Sequence, residues 1–273
     1  MPKALVVRAP GTNCDAEMCR GFQMAGAAPE LVHIDRLIAR PSLLEGADLI
    51  GFPGGFSYGD DIASGRVLAM KVRESLYPAL QEAARRGVPM IGACNGFQVL
   101  VQVGLLPGPD NGWQEAQAPR QTVALADNVG GRFVDRWVGV ATPPRSVCIW
   151  TQGLAEPFAP ESGPSPDLHD IMLLPVAHGE GRFQAASEDV LDALEARGQI
   201  ALTYLDNFNG SARAIAGICD PTGRIFGLMP HPERFLEWTR HPYWTRLSPA
   251  LRSKPTPGLT IFRNAVVAAT AGK

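Results

Sequence analysis

Residues 3–8 (KALVVR) form a short, almost unbroken apolar run that stops at Pro10-Gly11, the pattern of a strand buried on both faces. Comparable runs recur at 30–34 (ELVHI), 48–52 (DLIGF), 88–93 (VPMIGA) and 171–177 (IMLLPVA), with three more at 199–204, 214–219 and 224–229. Helical spacing fills the intervals. A first helix is predicted over 15–25, capped by Thr12 or Asn13 and stopped at Gly26. An amphipathic stretch over 65–86 breaks near Pro78 and ends at Gly87, and further helices are predicted over 97–103, 187–197 and 259–270. Residues 123–132 and 136–140 are strand-like but more polar. Strands alternating with helices at this pitch predict an α/β fold, a mostly parallel sheet with helices on both faces. Two Pro-rich stretches without a period, 149–170 and 240–258, read as surface insertions. No repeat and no clean linker divides the chain, so a single domain over 1–273 is expected.

Composition narrows the function classes. With 45% hydrophobic and 19% charged residues in 273, the chain has material for an ordinary globular core. A formal net charge of -2 argues against a nucleic-acid binder, which needs a basic face. No run approaches the roughly 18 apolar residues of a membrane span, and the first residues lack a signal-peptide core, so a cytoplasmic protein with no membrane partner is expected. Five cysteines stand at 14, 19, 94, 148 and 219, none in a C-x-x-C pair and none beside a His cluster at zinc spacing. Neither a disulfide frame nor a metal site is expected, and each Cys is by default a small buried hydrophobe.

Cys94 breaks that default. Gly92-Ala93-Cys94-Asn95-Gly96 is a G-x-C-x-G sequence between a predicted strand and a predicted helix, the setting of a nucleophile elbow. The tight turn demands small neighbours and presents the sulfur over a helix N-terminus, whose positive end favours the thiolate. His231-Pro232-Glu233 offers the proton shuttle. In an extended segment residues two apart share a side, so Glu233 can orient His231, and Pro232 keeps His231 out of helical geometry. The pair follows the strand at 224–229, at the carboxyl end where sites of open α/β sheets gather. His178-Gly179-Glu180 has the same spacing and is a rival. A flexible glycine replaces the proline there, and Gly179 and Gly181 suggest close approach to a ligand, so a binding or structural role is expected. Pro53-Gly54-Gly55 ends another strand. Backbone N–H groups of Gly54, Gly55 and Asn95 are the expected oxyanion hole, each donor worth roughly 3 kcal/mol in the transition state. The glycines of 54–59 would equally suit a phosphate, but no G-x-x-x-x-G-K-[ST] or G-x-G-x-x-G follows any strand.

The Cys94 elbow, the Pro53-Gly54-Gly55 loop and His231-Pro232-Glu233 resemble the class I (triad) glutamine amidotransferases, whose sheet is flavodoxin-like. Further blocks narrow the likeness: 11–15 (GTNCD), 53–60 (PGGFSYGD), 96–98 (GFQ), 175–183 (PVAHGEGRF), 209–211 (NGS) with 215–218 (IAGI), and 229–234 (MPHPER) are similar to the glutaminase subunits of phosphoribosylformylglycinamidine synthase, in order along residues 4 to 234. Residues 61–66 (DIASGR) depart from the commoner run there. The resemblance implies that Cys94 attacks the side-chain amide of L-glutamine and that His231 moves the protons. It implies that Gln98, His178, Gly179 and Glu180 contact the substrate, with Gln98 and the Gly179-Glu180 loop holding its amino and carboxyl groups. It also implies that ammonia passes to a large synthetase subunit, joined by a small bridging subunit, with ATP and Mg²⁺ on the synthetase and no cofactor in this chain. By the residues alone, two other readings stay open: another Cys-dependent α/β enzyme such as a peptidase, and a non-catalytic domain with a structural Cys94. Cys14 and Cys219 are expected to be replaceable without loss of activity.

Overall fold

In the computed structural model the residues described are 1–110, 112–113, 118–156 and 171–271. Nine strands form one sheet in the order β2 (Ala28–His33), β1 (Lys3–Arg8), β3 (Leu49–Phe52), β4 (Met90–Ala93), β11 (Ile225–Leu228), β10 (Ile215–Cys219), β9 (Ile200–Tyr204), β6 (Val134–Ala141), β7 (Leu173–His178). From β2 to β11 every pairing is parallel, and from β11 to β7 every pairing is antiparallel. Seven strands therefore run one way and β10 and β6 the other. The predicted sheet is mostly parallel by direction, yet half its pairings are not. The connection between β10 and β11 explains this: residues 220–224 are too few for a parallel crossover. Asp220 closes them into a hairpin, its carboxylate accepting from the N–H groups of Thr222, Arg224 and Ile225.

Alternate residues of the apolar strands enter two cores. Leu5, Val7, Ile50, Phe52 and Met90 pack with Leu68, Val72, Leu80 and Phe97 from α3 (Arg66–Ser75), α4 (Tyr77–Arg85) and α5 (Asn95–Val103). Ala4, Val6, Leu49, Ile91 and Ala93 pack with Met18, Phe22, Ile261 and Phe262 from α1 (Asp15–Met24) and the final helix, Pro257–Ala271. Complete burial on both faces is why these strands are continuously apolar.

Several sequence expectations change. The cap of α1 is Cys14, without a side-chain cap; Thr12 instead accepts from Ala9 N–H and Asn13 accepts from the Cys14 thiol. The second strand starts two residues earlier than predicted and is followed by a short helix, α2 (Ile34–Ala39), whose N-cap His33 accepts from Asp35 N–H. The stretch 65–86 breaks as predicted, with Pro78 in the first turn of α4. Glycines 179 and 181 suggested a loop, but Glu180–Ala185 is a strand, β8, paired antiparallel with β5 (Val123–Asp127) in a separate ribbon. The segment expected as a surface insertion at 149–170 begins in the core: Trp150 and Leu154 are buried, and Trp150 Nε1 donates to Arg224 O. The rest of it, 157–170, lies outside the described residues. The stretch 240–258 is mostly exposed but anchored by buried His241, Leu251 and Thr256.

Candidate active site

Strand β4 ends at Ala93, and the chain turns through Cys94 into α5 at once. Cys94 has φ 51° and ψ -109°, outside the helical, left-handed helical and extended wells of an L-residue. Strain of this kind costs on the order of 1–3 kcal/mol and is held only by surrounding structure. Two glycines do the holding. A Cβ on Gly92 would lie 2.6 Å from Gly96 O, and one on Gly96 would lie 1.9 Å from Phe52 O, so elbow and neighbouring strand approach backbone to backbone. Cys94 N–H donates to Leu228 O, fixing the turn to β11. The sulfur lines a cavity of about 230 Å³ with Gly55, Phe56, Asp60, Ser64, Gln98, Asp127, Phe133, Ala177, His178, Gly179 and Glu180.

Parallel pairing of β4 with β11 brings His231 to the same sheet edge. The expected extended geometry is corrected: Pro232–Arg234 is a turn of 3-10 helix with proline at its start. His231 itself stays outside helical geometry at φ -107°, ψ 86°, as the following proline requires. Its N–H donates to Pro175 O, and its Nδ1 donates to Glu233 Oε1 at 2.6 Å. Both side chains are fully buried. That bond leaves Nε2 as the nitrogen able to take a proton, and among the described residues nothing hydrogen-bonds to it. Burial pulls the His231 pKa down, but the Glu233 carboxylate and then the Cys94 sulfur outweigh it, holding the ring well above 6.5. A ring so strongly biased toward holding a proton is a good acceptor for one released by a neighbouring nucleophile.

The rival pair does not form. His178 is buried and its Nδ1 bonds Asn128 Oδ1 at 3.1 Å, while Glu180 Oε2 accepts from Ser64 N–H. Gly181 makes room for the ring, since a Cβ there would lie 2.1 Å from it. Burial pushes His178 down to about 4, with the positive charge of His231 adding to the effect. The folded chain thus favours neutral His178. Its contribution to stability is complete above the unfolded value of 6.5 and falls as pH drops from there toward 4, by up to about 3 kcal/mol. His231 contributes with the opposite sign, fully below its unfolded value and lost as pH rises through the folded one. Urea unfolding near neutrality and at about pH 4.5 should show the acid loss in the wild type and a smaller one in His178→Gln. Equal losses would contradict a neutral buried ring.

Gly54 sits against His231, its hypothetical Cβ 2.6 Å from the ring Cε1, so the loop after β3 touches the imidazole directly. Gly55 takes φ 140° and forms an antiparallel bridge with Thr12. Gly54 O and Phe56 N–H close that bridge, which leaves Gly55 N–H outside it. Asn95 N–H opens the first turn of α5, where a helix offers no carbonyl partner. The Asn95 side chain ties the wall together, accepting from Ser57 N–H and donating to Asp60 and Gln98. Gln98 is buried, with its amide engaged at both ends: Oε1 accepts from Asn95 and Nε2 donates to Glu180 O. It lines the cavity and shapes its wall.

Three features escaped the sequence reading. Asp60, within the quoted 53–60 block, lines the cavity and accepts from Gly65 N–H, Ser64 Oγ and Asn95 Nδ2. Its pKa is raised by burial and by Glu180, in spite of those hydrogen bonds. Phe133 stacks on Phe56 at the cavity rim. Cys14 lies behind the triad, 3.9 Å from His231 Nδ1. Cys14, His231 and Glu233 have donor atoms within 4.8 Å of one another, a metal-like composition. Arg234 donates to the Cys14 sulfur at 3.1 Å, and a cation beside that guanidinium is disfavoured. A larger cavity of about 430 Å³, lined by Pro107, Arg120 and Arg197, has no Cys or His among its described lining residues and does not include Cys94.

An elbow cysteine, a buried His–Glu pair and a glycine loop at one sheet edge define a triad enzyme of the glutamine amidotransferase class. The sequence matches the CobB/CobQ-like glutamine amidotransferase domain family over residues 1–267. It is 42% identical over 271 residues to phosphoribosylformylglycinamidine synthase subunit PurQ of Dehalococcoides mccartyi, covering 97% of this chain and 96% of that one. It is 40% identical to the subunit of the same name from Methanococcus maripaludis, over 86% of this chain and 83% of that one. Among solved structures it is similar to PurLQS from Thermotoga maritima, with a TM-score of 0.67, 29% identity and 98% of both chains covered. The chain belongs to the PurQ family of phosphoribosylformylglycinamidine synthase subunits.

Proposed function

We propose that this chain, acting as one amidotransferase domain, hydrolyses L-glutamine and delivers the ammonia to an ATP-dependent synthetase that converts formylglycinamide ribonucleotide to formylglycinamidine ribonucleotide in purine biosynthesis. The observation that carries the reading is the buried 2.6 Å His231–Glu233 pair beside an elbow cysteine that opens into a cavity of amino-acid size. Cys94 gives its thiol proton to His231 Nε2 as its Sγ attacks the carboxamide carbon, and the carbonyl oxygen takes the negative charge toward the N–H groups of Gly54, Gly55 and Asn95. Collapse breaks the C–N bond as His231 Nε2 gives its proton to the departing nitrogen, leaving a glutamyl thioester and ammonia. Water then adds to the thioester with His231 as base and releases glutamate and the thiol.

Asp60 and Glu180 repel one another in the cavity wall, and an ammonium between them relieves that repulsion. This favours placing the substrate's α-amino group on their side, with Gly179 and His178 beside it. ATP and Mg²⁺ belong to the large synthetase subunit, and a small bridging subunit completes the assembly. Among the described residues no helix is long and apolar enough to cross a membrane, and we place the work in the cytoplasm.

Ammonia release from glutamine should be weak for the chain alone and rise when the cognate synthetase is added. A glutamine-like electrophile should label Cys94 and none of the other four thiols. Strong turnover of peptides with none of glutamine would favour a peptidase instead. Glu233→Gln should lower glutamine turnover about 10²- to 10⁴-fold with little change in KM, because it removes the charge that supports the imidazolium. Activity within threefold of wild type would remove Glu233 from the triad.

A further inference from the structure

Arg234 directly follows Glu233, whose buried Oε2 has no hydrogen-bond partner among the described residues. A guanidinium is the best available partner for such a carboxylate, and a bidentate pair is the usual result when the two can meet. Here they do not pair. Arg234 Nη2 instead donates to Cys14 Sγ at 3.1 Å. The Cys14 thiol donates a hydrogen bond to Asn13 Oδ1 at 3.2 Å, so its lone pairs are free to accept. The same sulfur stands 3.9 Å from His231 Nδ1, and Cys14 N–H donates to Gly54 O, which ties it to the glycine loop. Behind them a cavity of about 220 Å³ is lined by Glu233, Arg234, Arg20 and Arg240, so other cations also have access to the back of the triad. Arg20 is held there by Glu237 at 2.8 Å.

We infer that Cys14 is a positioning residue: its sulfur holds the Arg234 guanidinium and keeps it off Glu233, so that the carboxylate is reserved for His231. The groups facing His231 are Glu233 on its own turn, Cys94 at the elbow, Cys14 at the start of α1, and His178 on β7, with Arg234 held on Cys14. Of these, Glu233 supplies the largest support for the imidazolium. Arg234 released onto Glu233 would divide that support, and the imidazolium–thiolate pair would form only at higher pH. This role rests on the glutaminase reading of the triad. It replaces the expectation that Cys14 is dispensable.

The test is the pH dependence of Cys94 alkylation by iodoacetamide, followed by peptide mass spectrometry, together with glutamine turnover of the full chain with its synthetase. Cys14→Ala should move the acid limb of alkylation up by about one pH unit and lower kcat about tenfold, with KM within about twofold. Cys14→Val, which fills the space without an acceptor, should do the same if the alanine variant folds poorly. Cys14→Ser should restore the wild-type profile, because its hydroxyl accepts from Arg234. Arg234→Gln in the Cys14→Ala background should also restore it, because the competing cation is gone. Cys219→Ala, distant from the site, is the control. A wild-type profile in both Cys14→Ala and Cys14→Val overturns the inference, as does a double variant no better than Cys14→Ala. A wild-type chain that neither releases ammonia from glutamine nor alkylates at Cys94 would instead remove the glutaminase reading itself.

Discussion

Cys94→Ala should abolish glutamine hydrolysis, a loss of about 10⁴-fold or more, while glutamine still binds. The size follows from the role: without the sulfur no thioester forms, and the remaining donors can only polarise a bound amide toward water. The fold should survive, because alanine at φ 51° suffers the same backbone strain as cysteine and leaves the glycines of the elbow untouched. Cys94→Gly sharpens the point. Glycine accepts positive φ without penalty, so this variant should be about 1 kcal/mol more stable than wild type and equally inactive. Ammonia release with the cognate synthetase, glutamine binding by calorimetry and a thermal melt check all three statements. Residual activity within a hundredfold of wild type in Cys94→Ala would mean that the nucleophile is elsewhere.

Gly96→Ala should cost about 3 kcal/mol or more of stability, which for a chain of this length lowers Tm by about 10 °C. The added carbon would lie 1.9 Å from Phe52 O and 2.7 Å from Phe52 C. Both are backbone atoms at the end of β3, so relief requires α5 to move away from the sheet rather than a side chain to rotate. That movement drags Cys94 from Leu228 O and from His231, and activity should fall along with stability. A variant that melts within 2 °C of wild type would show that the contact relaxes cheaply, against the estimate for a rigid backbone neighbour.

How much of this was legible beforehand depended on the range of the forces involved. The strand at 3–8, the break before Pro78 and the helix stop at Gly26 follow from neighbours in sequence, and they appear where expected. The elbow was equally legible, since G-x-C-x-G between a strand and a helix describes a turn that only small residues permit. The spacing His-x-Glu was a weaker sign. It occurs twice, at 178–180 and 231–233, and nothing local separates the two beyond a proline. The sheet separates them: one histidine meets Glu233 and the other turns to Asn128. Gln98 lines the cavity with Cys94, but its engagement with Asn95 and Glu180 depends on the partner at 180 arriving from another strand. Errors clustered where short polar residues chose among several partners, as with Thr12 and Asn13, and where glycines allowed both loop and strand, as at 179–185.

The amino-acid order by itself determined the α/β class and the elbow turn at Cys94, because each is written in a few adjacent residues whose sterics leave little choice. Only the tertiary structure decided which strands run antiparallel, which histidine stands beside Cys94, that Asp60 and Glu180 share a wall, and that Cys14 and Arg234 back the triad. Those outcomes couple residues as far apart as 14 and 231. Such couplings arise when strands of distant sequence are brought to one sheet edge, and no local pattern carries that information.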